Sequence, residues 1–275
     1  MKKKKIYIFT IATDIYKGYI PFLEASLANL SPLSKVFDVE LILISDRDCI
    51  SETPHKYLHI CNMPYPFNTY HKFDYIHDAI SFLNLEEDGF FIYVDADSVF
   101  RKMEPNFYTN TLPNLLDNGK ITLARSPWRL TSVTRNENYG CKGTPSYIER
   151  LDSRNNYAQA SMFMGSIKKF EEVYPLIYGL MTSHIKERRE HPSLPLMFDQ
   201  SIINKVANTH NEFFSFDDLI FNIYEDLSLE EKEFLKTSYK EKNLVKCNKT
   251  YHMNKYSNIF VIQKFNQGIK KEKRL

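Results

Sequence analysis

Two aspartates one residue apart, Asp95 and Asp97, follow directly on the apolar run Phe90-Phe91-Ile92-Tyr93-Val94. A run without polar alternation reads as a strand buried on both faces. In an open α/β sheet such a strand delivers its carboxyl end to the edge where ligands gather. Two carboxylates held together there repel unless a divalent cation neutralises them, and hard cations take oxygen donors of this kind while keeping positions open for phosphates. Asp95 and Asp97 are therefore candidate metal ligands. The competing reading is a strand that ends in a solvated turn, where aspartate is also favoured. The apolar pair Val99-Phe100, resuming directly after the acids, weighs against it.

The elements that must position these acids follow from hydrophobic patterning. Ile6 to Ala12 reads as a first buried strand, and Ile20, Leu23, Leu27 and Leu30 recur at helical spacing behind it. Val39 to Asp46 predicts a second strand with an acidic end, Tyr57 to Ile60 a short third, and Thr69 to Leu83 a helix leading into the D-x-D strand. Beyond Phe100, Thr131 to Asn156 has few aliphatics and reads as a loop over a site. Ala160 to Gly165 predicts a strand, Ile167 to Met181 a helix, His184 to Pro195 a loop with two prolines, and Asp199 to Ala207 a helix with an acid at its start. Strands alternating with helices predict an α/β fold with a mainly parallel, Rossmann-like central sheet flanked by helices.

At 275 residues, with 43% hydrophobic and 25% charged, the chain has the composition of one ordinary globular domain with a substantial core. Residues 1–260 are expected to form that domain and residues 261–275 a basic tail. No apolar segment reaches the roughly 18 to 20 residues of a membrane span, so a cytoplasmic protein is expected. Cys49, Cys61, Cys141 and Cys247 are scattered and form no C-x-x-C pair, which argues against a zinc knuckle or a disulfide framework. Lys2 to Lys5 open the chain, and Lys264, Lys270, Lys271, Lys273 and Arg274 close it. These ends are either solvated or attach to an anionic membrane surface. Nucleic acid is not expected as a partner, because the interior holds no continuous basic face interleaved with aromatics.

Four segments in order carry a family resemblance: Ile11-Ala12-Thr13-Asp14-Ile15-Tyr16, Thr69-Tyr70-His71-Lys72, Val94-Asp95-Ala96-Asp97, and Phe198-Asp199-Gln200-Ser201-Ile202-Ile203-Asn204. Together they resemble retaining GT-A nucleotide-sugar glycosyltransferases, between glycosyltransferase family 8 (bacterial lipooligosaccharide galactosyltransferases, glycogenin) and family 6 (the blood-group A/B and α-1,3-galactosyl enzymes). The resemblance covers most of residues 6 to 255 and implies a GT-A fold. It also implies transfer of a hexose from a UDP-sugar to a glycan or lipooligosaccharide acceptor. It places Ala12, Thr13, Asp14 and Tyr16 around the uridine, and Lys72, where the families carry arginine, near sugar or phosphate oxygens. Asp95 and Asp97, with Ala96 between them, would hold Mn2+ or Mg2+ against the diphosphate, with His252 as the third ligand in the family 8 manner. Gln159 and Ser161 fall in the segment that presents donor-sugar contacts. Asp199 and Gln200 match the catalytic pair of family 8, whereas family 6 has a glutamate in place of Gln200. An amide cannot be a carboxylate nucleophile, so the resemblance implies front-face chemistry through an oxocarbenium-like state.

Two other classes share parts of this pattern. An apolar run followed by D-x-D also occurs in haloacid-dehalogenase-like phosphatases, although there it sits on the first strand of the domain. A non-catalytic nucleotide-sugar-binding module could keep the same residues.

Overall fold

The run Phe90–Val94 is a strand whose residues are all buried. The computed structural model describes residues 2–46, 53, 55–61, 63, 67–125, 158–194, 198–217, 221–223 and 261–263. In chain order the elements are β1 (Lys5–Ile11), α1 (Ile20–Leu27), β2 (Asp38–Ser45), β3 (His55–His59), α2 (Phe67–Tyr70), α3 (Lys72–Phe82), β4 (Phe90–Val94), β5 (Val99–Phe100), α4 (Leu112–Leu116), β6 (Ile121–Arg125), β7 (Ala158–Ser166), α5 (Ile167–Glu190), α6 (Asp199–Thr209), β8 (Phe214–Asp217), β9 (Phe221–Ile223) and β10 (Val261–Gln263).

The main sheet has seven strands in the order β3-β2-β1-β4-β7-β6-β8. All its pairings are parallel except those of β7, which runs against both β4 and β6. The fold is thus an α/β, Rossmann-like single domain with a mixed, mostly parallel sheet, as the alternation of strands and helices predicts. The strand order reverses between β1 and β4, since β2 and β3 extend from one side of β1 and β4 lies on the other.

Strand parity divides the core into two layers. Tyr7 and Phe9 of β1 and Phe91 and Tyr93 of β4 face α3 and α5, where Phe73, Ile76, Phe170 and Ile177 cover them. Ile6, Ile8, Ile92 and Val94 face the opposite side, against Leu23, Leu30 and Leu112. In register, Phe91 lies opposite Gly165 and Tyr93 opposite Phe163. Gly165 must be small, because a Cβ there would come within 3.0 Å of both the Lys120 carbonyl and Ile121.

Several expected boundaries move. The segment from His184 is not a loop: α5 continues to Glu190, two residues before Pro192, with Met181 and His184 buried on its inner side. The charge run there is the solvated face of a helix. The first helix covers only Ile20–Leu27 and continues as a 3-10 helix, Ala28–Lys35, around Pro32, which removes a backbone donor. The helix before β4 is broken at His71 into α2 and α3. Val261 is not the start of a tail: it is fully buried, and β10 pairs with β5 and β9 in a second, three-stranded sheet. The loop expected over Thr131 to Asn156 lies outside the described residues.

Candidate functional site

The reversal of strand order brings the loop after β1 beside the loop after β4, and crevices of this kind are where open α/β sheets bind ligands. Ala12 and Ala96, one from each loop, are packed in one buried cluster with Ile20 and Leu43. The Asp95 carbonyl accepts from the Ser98 amide in a tight turn, and the Asp95 amide donates to the Ser161 carbonyl of β7. The D-x-D is thereby fixed from both sides. Asp97 is 4% exposed. Burial, with the nearby charge of Asp97, pushes the Tyr19 hydroxyl up.

Asp95 continues the parity of Phe91 and Tyr93 and so turns to the side covered by α3. There it meets Lys72. The ammonium lies 3.0 Å from Asp95 Oδ1 and donates to the Ala160 carbonyl at 3.1 Å. It also contacts Asp199 Oδ2. A lysine has three donors, and all three are engaged. Its side chain is only 7% exposed. Burial alone would lower the ammonium's pKa, but Asp199 and Asp95 outweigh burial and hold it well above the ordinary lysine range. Burial pushes the Asp199 carboxyl up, against the pull of Lys72.

Two further residues complete the cluster, and sequence reasoning assigned neither of them a role. Tyr93 donates its hydroxyl to Asp95 Oδ1 at 2.7 Å, and its ring lies 4.7 Å beneath the Lys72 ammonium. Asn204 joins α6 to the start of β7: its amide donates to the carbonyls of Ala158 and Gln200 and accepts from the Ala158 amide. An aromatic inside an apolar run reads as core, so no sequence signal marks Tyr93. Asn204 lies in the quoted Asp199-Gln200 segment, one helical turn after Gln200.

Lys72, Asp95, Ala96, Asp97, Gln159, Ser161, Asp199 and Gln200 thus come together at one sheet edge. Gln159 and Ser161 are buried and share a side-chain hydrogen bond of 3.3 Å. Gln200 is buried, and its backbone N–H donates to Asp199 Oδ1. Ala12 is buried at the end of β1. Thr13 accepts a hydrogen bond from Asn68 at 3.0 Å and precedes a 3-10 helix opened by Asp14. Thr13 is the N-cap of that helix, without a side-chain capping bond. Tyr16 is 37% exposed, its ring tilted against Tyr19. His252 lies outside the described residues, among which no group of three His, Cys, Asp or Glu residues is arranged to hold a metal.

The cluster sets three carboxylates against one ammonium, an acidic excess at the mouth of the crevice. No protein-family model matches the chain, and no curated protein matches it. Among the described residues no helix is long and apolar enough to cross a membrane.

Proposed function

We propose that the protein is a metal-dependent, retaining glycosyltransferase of the GT-A type that moves a hexose from a UDP-sugar to a glycan or glycolipid acceptor. The observation that carries this reading is the juxtaposition of the D-x-D loop with the loop after β1 at the point where strand order reverses. That crevice suits a nucleotide, and the acids at its edge suit the cation that accompanies a diphosphate.

The residues fit a divalent cation, since Asp95 and Asp97 supply hard oxygen donors and the acidic excess leaves charge for a cation to neutralise. When bound, Mg2+ or Mn2+ would neutralise charge on the departing diphosphate. Lys72 keeps its proton and fixes Asp95 and Asp199 relative to each other. Asp199 has one oxygen on Lys72 and the other on the Gln200 backbone N–H. Gln200 has no carboxylate to offer, so neither residue of this pair is a ready nucleophile. Retention then requires the acceptor to attack from the face the diphosphate leaves.

The test is a screen of UDP-sugars for Mn2+-dependent hydrolysis, followed by NMR of the product's anomeric proton. An α-linked product from an α-donor is expected. A β-linked product would overturn the retaining assignment, and release of phosphate from simple phosphate esters without turnover of any UDP-sugar would favour the phosphatase class.

A further inference from the structure

Beside the start of α3, the carboxyl half of α5 lines an open cavity of about 330 Å3. This is the lower end of the size range of small-molecule sites, enough for a monosaccharide with one substituent. Here α5 lies against the start of α3: the Tyr70 hydroxyl donates to the Met181 carbonyl at 2.6 Å, and Lys72, two residues on, reaches Asp95.

The cavity has two unlike walls. Tyr70, Tyr178, Met181 and Ile185 form an apolar wall. Tyr178 is 51% exposed, a large ring left facing solvent at the rim. The other wall carries Lys186 and Arg189, three residues apart on one face of α5. Among the described residues neither makes an ion pair or a side-chain hydrogen bond. The acid that lines the cavity, Asp74, is already engaged: one oxygen takes His71 Nδ1 at 2.7 Å and the other the Tyr174 hydroxyl at 2.9 Å. The lining therefore sets two cations against one carboxylate, and among the described residues neither cation is paired with it. An exposed aromatic face beside unpaired lysine and arginine donors suits a flat or ring-shaped body that carries a negative group.

We infer that this cavity binds an anionic sugar of monosaccharide size, carrying either a phosphate or a carboxylate. The site is separate from the D-x-D crevice and does not depend on the transferase reading. Tyr178 stacks on the ring, and Lys186 and Arg189 hold the anion. The sugar phosphate and the carboxylated sugar share this chemistry, and the probes distinguish them.

The experiment titrates the full-length protein with glucose 6-phosphate and with glucuronate, followed by calorimetry and by amide chemical shifts. Glucose and inorganic phosphate serve as half-ligands. Saturable binding of either anionic sugar supports the site, and the stronger of the two names its anion. Each half-ligand should bind at least about tenfold more weakly, because it meets only one wall. Lys186→Ala with Arg189→Ala, both on the surface, should weaken binding about tenfold or more, and Tyr178→Ala should weaken it several-fold. Asp95→Asn with Asp97→Asn should leave it unchanged even where transfer is lost, which separates this site from the crevice. The inference is overturned if neither anionic sugar saturates, if phosphate alone binds as tightly as the sugar phosphate, or if the Lys186 and Arg189 changes leave binding intact.

Discussion

The Tyr93 hydroxyl donates to Asp95 Oδ1 from two residues back along β4, and the same oxygen takes the Lys72 ammonium. One carboxylate oxygen is thus held by a neutral and a charged donor at once. Tyr93→Phe removes the neutral donor and little else. It should lower stability by about 1 kcal/mol, because a charged acceptor loses one partner in a buried setting. A urea midpoint equal to wild type would show that the bond contributes nothing.

Lys72 joins β4, β7 and α6 through three donors. Lys72→Met would leave Asp95 and Asp199 facing each other without a counter-charge. Breaking a buried pair in this way costs about 3 to 5 kcal/mol. Lys72→Arg keeps the charge and should lose less, and Asp199→Asn combined with Lys72→Met should recover part of the loss. Denaturant unfolding of these three variants and of Asp199→Asn alone measures this. Additive losses in the double variant would mean that the two residues are not coupled.

Asp95→Asn and Asp97→Asn remove charge without changing side-chain size. Each should reduce Mn2+ binding at least about tenfold and abolish sugar transfer, with unchanged circular dichroism. EDTA should stop the wild-type reaction and Mn2+ restore it. A double variant that keeps near wild-type turnover would falsify the assignment.

Stability should fall at alkaline pH. Burial pushes the hydroxyls of Tyr75 and Tyr108 up to about 12 and also raises those of Tyr70 and Tyr93. In the unfolded chain tyrosine titrates near 10, so above about pH 10 the unfolded state releases protons that the native state keeps. Stability contributed by these groups is complete below that pH and is lost as pH rises through the folded values, at up to about 1.4 kcal/mol per pH unit for each. Urea midpoints should be flat to about pH 9.5 and lower by about pH 11. A midpoint that does not move by then would contradict the buried hydroxyls.

The basic residues after Gln263 and the strand before them should behave differently on truncation. Removing residues 264–275 should reduce sedimentation with anionic vesicles at low salt, where each lysine or arginine contributes about 1 kcal/mol, and leave hydrolysis of a soluble UDP-sugar nearly unchanged. Removing residues 261–275 also deletes β10, whose Val261 is fully buried, and should lower the melting temperature. Equal vesicle binding by the full chain and the shorter truncation would leave these residues as a solvated end.

The architecture was largely legible because apolar runs and helical spacing report burial directly: β1, β2, β4 and α6 stand within two residues of the positions their patterns predict. The D-x-D and the Asp199-Gln200 pair were legible as polar residues at element ends. What the pattern could not carry was facing. An unalternating run gives no parity, so nothing in Phe90 to Val94 says that Tyr93 and Asp95 turn toward α3 and Ile92 and Val94 away. The pairing of Lys72 with Asp95 and Asp199 depends on that facing and on the antiparallel return of β7, 23 and 127 residues away in sequence respectively for the two acids (95 − 72 and 199 − 72). The extension of α5 was hidden for another reason: a charged stretch near prolines looks like a loop until one side of it is known to be covered.

The pairing of β5 with β10 has a consequence for how the chain is made. Among the described residues, Val99 and Phe100, directly after the D-x-D turn, find their partner strand at Ile262 and Val261. On a ribosome that adds about 5 to 20 residues per second, that partner emerges on the order of ten seconds after the turn itself. During that interval β4 can pair with β1, but the stretch that follows it has an open edge. The acidic turn is thus among the last parts of the molecule to be completed, and a nascent chain is expected to be open to proteases there until its final strand arrives.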